Sequence, residues 1–188
     1  MQATHELLFE QAGEEPSVSQ ICERADVRVA MVSYCFGGKA GLLDALVERA
    51  ISGLLAEQAE LVSRALPPEE ALAVHVEATV RNFVRYPYIT SVSERLAAGD
   101  RTVVGMGQTF VRPTLAFYRE MLENGVAAGR FRPTDPTLLL FSIVGMCEFL
   151  FAARSWLTDA DEVLDEALVE RFAGHTVDLL LGGLLVEP

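Results

Sequence analysis

Apolar positions recur at three- and four-residue spacing along almost the whole chain, and this spacing predicts helices. The strict alternation typical of β-strands is missing, as are Asn-Gly hairpin turns. Prolines and glycines divide the chain into helix-sized segments. The longest apolar stripe comprises Leu42, Leu43, Leu46, Val47, Ala50, Leu54, Leu61 and Val62. We therefore predict an all-α fold in which this stripe is buried.

Two short helices precede that stripe, and we expect them over Ser17–Ala25 and Arg28–Cys35. The Ser17 hydroxyl can cap the first helix while the Gln20 side chain reaches back to the backbone, as in a capping box. Only a tight turn separates the two helices, which is the layout of a helix-turn-helix. The second helix is then the candidate recognition helix.

Further helices are predicted after the long stripe, and proline or glycine ends most of them. Their predicted ranges are 69–86, 101–128, 135–156 and 161–184. Pro113 lies inside the second of these ranges. Because proline cannot donate its backbone hydrogen bond and clashes with the preceding turn, we expect a kink or a break there.

The chain has 188 residues, of which 51% are hydrophobic, and a formal net charge of −12. This composition excludes a disordered chain and argues against coating nucleic acid through overall positive charge. Between Arg28 and Leu43, however, there are two basic residues, Arg28 and Lys39, and no acid. Lys39 is the only lysine in the chain. This window is a candidate anion-binding surface within an acidic protein.

The side chains of this window suit the grooves of DNA. The Arg28 guanidinium can bind guanine O6 and N7, and Val29 and Met31 can contact a thymine methyl group. Tyr34 can donate its hydroxyl to a phosphate, and Lys39 opens a helix whose N-terminal amides attract one. The alternative is that the cations are ordinary surface charges and Tyr34 a packed ring.

Residues 17–27 (SVSQICERADV), followed by 34–43 (YCFGGKAGLL), resemble the DNA-binding domain of TetR-like transcriptional regulators. The branch with Y-x-F-G-G-K-x-G-L after the recognition helix is the most similar. The resemblance implies a repressor that binds a palindromic operator as a homodimer and is released by a small-molecule effector. It implies DNA contacts at Ser17, Arg28, Val29, Met31, Ser33, Tyr34 and Lys39. Three residues depart from the family pattern, with Asp26 at the turn glycine, Arg28 at a Ser or Thr cap, and Ser33 at a common tyrosine.

The resemblance divides the chain into a three-helix DNA-binding domain, residues 1–48, and a larger helical domain for ligand binding and dimerisation, residues 49–188. An apolar cavity with a few polar groups is typical of small-molecule sites. The candidate lining residues of the larger domain are His75, Phe83, Tyr86, Phe110, Phe117, Tyr118, Met121, Met146, Glu148 and Phe149. The alternative for each is a place in the ordinary core.

The last two predicted helices are too apolar for a monomer, so we expect a four-helix dimer interface built from two helices of each subunit. The apolar side chains in question are Phe141, Ile143, Val144, Cys147, Leu150, Phe151, Val177, Leu179, Leu180, Leu181 and Leu184. A twofold dimer would place two recognition helices about 34 Å apart, one turn of DNA. An effector that changes the angle between subunits would change this spacing.

Other classes of protein find little support. We expect no enzyme, because the chain has no P-loop, nucleophile elbow or HExxH motif. We expect no cofactor or metal, because the three histidines are widely spaced, and we expect three free thiols in the cytoplasm. Residues 138–153 are apolar but shorter than a membrane span of roughly 20 residues, so no membrane partner is expected. The competing function is a helical dimer that binds a small molecule or protein and has lost DNA binding.

Overall fold

The computed structural model describes residues 1–10, 15–90, 104–153 and 166–186. Within these ranges the chain is helical, which confirms the all-α prediction, and the only β-type contact is an isolated bridge between Phe131 and Leu185. The helices are α1 (Gln2–Glu10), α2 (Val18–Ala25), α3 (Val29–Phe36), α4 (Lys39–Ser63), α5 (Pro68–Arg85), a 3₁₀ turn (Pro87–Ile89), α6 (Val104–Ala127), α7 (Pro136–Ala152) and α8 (Glu166–Leu184).

Two expectations about local structure need correction. Helix α6 continues through Pro113, so the break that we expected as one of two outcomes does not occur, and the kink stays a prediction. Pro113 is exposed while Thr114 and Phe117 beside it are buried, so packing holds the helix and the lost hydrogen bond falls on the solvent side. Val62 is exposed because Leu61, one residue earlier, takes the buried position near the end of α4. The predicted helix ends at 101, 156 and 161 lie outside the described residues.

The chain divides into two compact units. The first contains Met1–Gly53 and Arg85–Gly107, and the second contains Leu54–Val84 and Gln108–Pro188. The first unit buries a small cluster formed by Leu7, Ile21, Cys22, Val32 and Leu42, which come from α1, α2, α3 and α4. The three-helix arrangement α1–α3 is therefore held by side chains from each of its helices.

An ion pair also joins α1 to α2 within the first unit. The Arg24 guanidinium donates to both carboxylate oxygens of Glu10, at 2.9 and 2.8 Å. This hydrogen bond from Arg24 lowers the pKa of Glu10. Because the pair is exposed, we assign it to alignment of the two helices rather than to stability.

The second unit has a core of fully buried aliphatic and aromatic side chains. The largest are Leu72, Val76, Val80, Tyr118, Phe131, Ile143 and Phe151. The turn after α6 closes on the end of α8, because the Arg132 amide donates to the Leu184 carbonyl at 2.8 Å. Gly125 has to lack a side chain, since a Cβ there would overlap the Phe131 ring. This contact seats Phe131 in the core.

Among the described residues, no single helix combines the length and apolar character needed to cross a membrane. One pair of helices, α3 and α4, bent by 61°, passes the length and composition criteria when taken together.

Candidate functional site

The turn between α2 and α3 is built by the residues that the sequence indicated. Ser17 caps α2, its hydroxyl accepting from the Gln20 amide at 3.2 Å while the Gln20 side chain accepts from the Ser17 amide at 2.8 Å, so the predicted capping box is confirmed. Asp26 ends α2 in the left-handed region at φ 51°, where glycine is usual and Asp is one of the few tolerated substitutes. The turn therefore forms without a glycine at this position.

Arg28 lies at the N-cap of α3 with an extended backbone and makes no capping hydrogen bond through its side chain. It is exposed, and no ion pair holds its guanidinium within the part of the chain that the structure describes. Arg28 thus presents a free bidentate donor at the first turn of the candidate recognition helix.

Helix α3 divides cleanly into a buried side and an exposed side. Val32 is buried in the cluster of the first unit, and Phe36 packs against that cluster. Elsewhere on the helix, Tyr34 is 87% exposed, Val29 52% and Met31 49%. Ser33 is exposed as well. Large apolar side chains are left in solvent on a helix that has a complete buried face of its own.

Glycines allow the connection from α3 to α4. Gly37 and Gly38 have φ values of 73° and 126°, a region that side chains other than glycine rarely occupy. Gly41 is packed so closely that a Cβ would overlap the Phe36 carbonyl oxygen. The backbone of the G-G-K-x-G segment therefore requires its glycines. They allow the first turn of α4 to lie directly beside the end of α3.

Lys39 lies at that first turn. An acidic side chain contacts it there, although the sequence window around Lys39 contains no acidic residue. Its ammonium group contacts the Glu15 carboxylate at 2.9 Å, and both side chains are partly exposed. Glu15 precedes the acid-free window by thirteen residues, so only the folded backbone reveals the pairing. An anion that approaches Lys39 has to compete with this carboxylate.

The ten candidate lining residues of the larger domain occupy different environments. His75, Phe83, Phe117, Tyr118 and Met121 are buried. Tyr86, Phe110, Met146 and Glu148 are partly buried, and Phe149 is exposed. Tyr86 belongs to the first unit, whereas the other nine residues belong to the second. The structure therefore brings only some of the ten together.

Two of the candidates, His75 and Tyr118, form a buried pair. The His75 Nε2 atom lies 2.8 Å from the Tyr118 hydroxyl, and the Phe117 ring lies against the imidazole at 4.8 Å between centroids. Burial lowers the pKa of His75 to about 4 and raises the pKa of Tyr118 far above its usual range. Both groups are consequently neutral at pH 7 and share one hydrogen bond.

A half-open cavity of about 90 Å³ lies beside this pair within the second unit. Its lining includes Leu61, Leu66, Ala71, Phe117, Glu120 and Met121. Phe117 links the two features, because it lines the cavity and its ring contacts the His75 imidazole at a tilt of 58°. The cavity is mainly apolar, and the exposed Glu120 is the acidic residue of its lining.

Helix α7 has an exposed apolar face that runs along its length. Leu138, Phe141 and Phe149 are each about two-thirds exposed, and Gly145 lies between them at helical spacing. On α8, Leu179 is exposed.

The other predicted interface residues differ in burial. Ile143, Cys147, Phe151 and Leu184 are buried inside the subunit, which removes them from the predicted contact surface, while Val144, Leu150, Val177, Leu180 and Leu181 are partly exposed.

One cluster in the first unit has no counterpart in the sequence analysis. The His5 ring of α1 contacts the rings of Tyr86 and Tyr88 at centroid distances of 5.6 and 5.9 Å, and the two tyrosine rings also contact each other at 6.0 Å. The Tyr88 hydroxyl is 3.4 Å from His5 Nδ1, and the Arg85 guanidinium lies over the Tyr86 ring. More than eighty residues separate the two sides, so no local pattern indicates the contact. The cluster attaches α1 to the segment that follows α5.

The described residues contain no group of three or more His, Cys, Asp or Glu side chains placed to hold a metal ion. The described cysteines, Cys22, Cys35 and Cys147, are free thiols. Cys147 is buried, and burial raises its pKa to about 12, so its thiol is protonated at neutral pH.

Comparisons with known proteins place this geometry in a family. Residues 65–188, most of the chain, match the family model described as "Tetracyclin repressor-like, C-terminal domain". No curated protein matches the sequence.

Solved structures with the same fold cover almost the whole chain. One is a transcriptional regulator of the TetR/AcrR family from Thermobifida fusca, with 18% identity, a TM-score of 0.73, and coverage of 97% of this chain and 96% of that chain. Another is the ketosteroid transcriptional regulator KstR2 of Mycobacterium tuberculosis, with 17% identity, a TM-score of 0.72, and coverage of 99% and 93%.

A third structure, AibR in complex with isovaleryl coenzyme A and operator DNA, has 21% identity, a TM-score of 0.67, and coverage of 94% and 93%. At these identities the structures establish the shared fold, and the family model establishes membership. The chain belongs to the tetracyclin repressor-like (TetR) family of transcriptional regulators.

Proposed function

We propose that the protein is a ligand-responsive DNA-binding transcriptional regulator, a repressor that binds a palindromic operator as a homodimer. The observation that carries this function is the exposed face of α3, which presents Arg28 and Tyr34 to solvent on a rigid helix-turn-helix. Membership in the TetR family supports it, since family members regulate transcription. We assign DNA binding to residues 1–48, in the branch with Y-x-F-G-G-K-x-G-L, and effector binding and dimerisation to residues 49–188.

The DNA contacts divide into base readers and backbone contacts. Arg28 reads a guanine edge from the start of α3, flanked by Val29, Met31 and Ser33. Backbone phosphates are held by Ser17 at the start of α2, by the Tyr34 hydroxyl, and by Lys39 together with the first amides of α4. Lys39 exchanges Glu15 for a phosphate when it binds, since its ammonium group is paired with the Glu15 carboxylate at 2.9 Å.

The homodimer uses the exposed apolar faces of α7 and α8. Leu138, Phe141 and Phe149 of α7 and Leu179 of α8 are large apolar side chains that the folded subunit leaves in solvent. A contact across a twofold axis uses the same surface of both subunits, so it buries each of these side chains in both copies of the chain. Pairing two subunits also supplies two recognition helices for the two halves of a palindrome.

The effector is a small molecule bound in the second unit. We place Phe117 and Met121 at its contact surface, because both line the half-open cavity. His75 and Tyr118 lie directly behind Phe117 as neutral hydrogen-bonding groups. AibR is in complex with isovaleryl coenzyme A, but here the acidic residue Glu120 is part of the cavity lining, and this charge favours a neutral effector over an anionic one.

A mobility-shift assay with duplexes from the region upstream of the protein's own gene tests the function. We expect a discrete shift at low salt for a duplex containing a palindrome, and a weaker shift for Arg28→Ala. An Arg81→Ala variant is the matched control, because Arg81 is an exposed arginine on α5 that pairs with Glu77. The absence of a shift at low salt with any nearby palindrome contradicts the proposal.

One observation favours the alternative, a helical dimer that has lost DNA binding. The candidate phosphate contact Lys39 is neutralised by Glu15 in a chain of net charge −12. The two functions differ in their response to salt, because phosphate contacts release counterions. Affinity for duplex DNA that falls steeply with salt supports the regulator, whereas absent or salt-independent affinity supports the alternative.

A further inference from the structure

The recognition helix carries no charged side chain at any position. Its eight residues, VAMVSYCF, lie between Arg28 and Lys39, and their polar groups are two hydroxyls and one thiol. The side chains that usually form two hydrogen bonds with a purine edge, namely Arg, Lys, Asn and Gln, are all missing from it. A helix of this composition has little capacity to read bases by hydrogen bonding.

What the helix offers instead is apolar surface. Val29 and Met31 are each half-exposed, and Ala30 between them is exposed too. At 100° per residue Ala30 lies opposite the buried Val32, and Val29 and Met31 lie on either side of Ala30. The small Ala30 at the centre allows close approach, and the larger side chains flank it. These side chains add nothing to the core of the subunit, so their exposure calls for an external contact.

The major groove of DNA displays one apolar group, the C5-methyl of thymine. We propose that α3 selects its operator mainly through thymine methyl groups, which Val29 and Met31 contact, with Arg28 supplying the charged hydrogen bond to a base. This inference rests on the proposed DNA-binding function and names the chemistry that the interface reads. Each half-site is therefore rich in thymines beside a single guanine.

The same contact predicts a property of modified DNA. The C5-methyl of 5-methylcytosine occupies the same place in the major groove as the thymine methyl. Replacing a thymine–adenine pair by 5-methylcytosine–guanine keeps this methyl group, but it exchanges the thymine O4 acceptor for an amino donor and the adenine amino donor for the guanine O6 acceptor. If α3 reads methyl groups, removing the methyl group from thymine should lower the affinity for DNA, and adding a methyl group to cytosine at the same position should raise it.

The experiment begins with selection of binding sites from a randomised duplex library by the full-length protein. Each thymine of the selected site is then replaced singly by deoxyuridine, which removes only the methyl group. We expect about fourfold weaker binding at each contacted position, the value for one buried methyl group. In the opposite direction, 5-methylcytosine placed at such a position opposite guanine should bind more tightly than unmethylated cytosine there, because these two bases differ only by the methyl group.

Variants assign the contact to its side chain. Val29→Ala should weaken binding to the duplex that contains thymine. At one position, replacing thymine by deoxyuridine should then weaken binding of this variant less than binding of the wild type, because the thymine methyl group no longer has the Val29 side chain to contact. Val126→Ala is the matched control, since Val126 is an exposed valine on α6. It should retain the full wild-type response. Met31→Ala should remove the response at a different position.

The outcomes separate this inference from the function on which it rests. If the protein selects no duplex at low salt, the proposed DNA-binding function is contradicted. If it selects a site but tolerates deoxyuridine at every thymine within about 1.5-fold, methyl recognition is contradicted while DNA binding stands. Loss of the deoxyuridine response in Val29→Ala, with the response intact in Val126→Ala, supports the inference.

Discussion

Helices α3 and α7 both leave large apolar side chains in solvent, yet their surroundings differ. On α3 the exposed Val29, Met31 and Tyr34 lie between two cations, Arg28 and Lys39. Helix α7 carries no cation in its sequence, PTLLLFSIVGMCEFLFA, and exposes Leu138, Phe141 and Phe149 along one face. Exposed apolar area alone does not identify a partner. The charges around it favour DNA for α3 and a second copy of the chain for α7.

The largest expected effect comes from placing a charge on the α7 face. Phe141→Glu removes one aromatic contact from each subunit and buries two carboxylates, so the dimer dissociation constant should rise by about 10²–10⁴-fold. Sedimentation over a concentration series measures it. Val111→Glu, a substitution of an exposed apolar residue on α6, should leave the dimer intact. A Phe141→Glu protein that remains fully dimeric contradicts the assignment of this face.

The second prediction concerns a buried residue, His75, and tests the stability of the folded protein independently of the exposed faces of α3 and α7. His75 has a pKa of about 4 in the folded protein and the usual 6.5 when unfolded. The unfolded chain therefore binds more protons between these values, and the stability from neutral His75, fully present above pH 6.5, is lost as the pH falls towards 4. We expect a loss of about 3 kcal/mol in the free energy of unfolding.

Denaturant unfolding across this pH range measures the effect, with His75→Gln as the comparison. The variant should lack the component of the pH dependence that His75 contributes, while other groups titrate equally in both proteins. Its dimer dissociation constant at pH 7 should match the wild type, because His75 belongs to neither exposed face. Parallel pH profiles for the two proteins argue against a neutral, buried His75.

The third prediction distinguishes the two cations that flank α3. Arg28→Ala should weaken operator binding by about 1–3 kcal/mol and relax the preference at one base pair, since its guanidinium reads a base. Lys39→Ala should weaken binding to all sequences alike and lower the salt slope by about one. Titrations of a selected and a scrambled duplex at several salt concentrations separate them. Identical behaviour of the two variants contradicts the division of roles.

The smallest effect is expected from the acid beside Lys39. Glu15→Gln frees the ammonium group for phosphate, and we expect DNA affinity to rise by no more than about fivefold, the range of an exposed ion pair. Glu23→Gln makes the same change of charge on α2, without a described contact to Lys39. Equal gains for both variants would show that net charge, rather than the pairing with Lys39, is responsible.

The sequence predicts local structure well where the signal is local. The Ser17–Gln20 capping box and the bounds of α2 and α3 follow from side-chain chemistry within a few residues. The break that Pro113 allowed does not occur, because the packing of α6 outweighs one lost hydrogen bond. The family resemblance rested on a short motif, and its assignment to the TetR family is confirmed by the match over residues 65–188.

The contacts of the candidate site are harder to predict from the sequence, because they join residues that are far apart along the chain. The pairing of Lys39 with Glu15 and of His75 with Tyr118 depends on how helices pack. The sequence indicated His75 and Tyr118 separately but not their hydrogen bond to each other. It also could not divide α7 into buried and exposed residues, since a helix that is apolar all round carries no directional signal.

The most direct test of the account measures the affinity of the full-length protein for a selected palindromic duplex as a function of salt concentration, together with the number of subunits bound. We predict that two subunits bind each duplex and that the logarithm of the association constant falls linearly with the logarithm of salt concentration. A single bound subunit, or an affinity that does not change with salt, would contradict it.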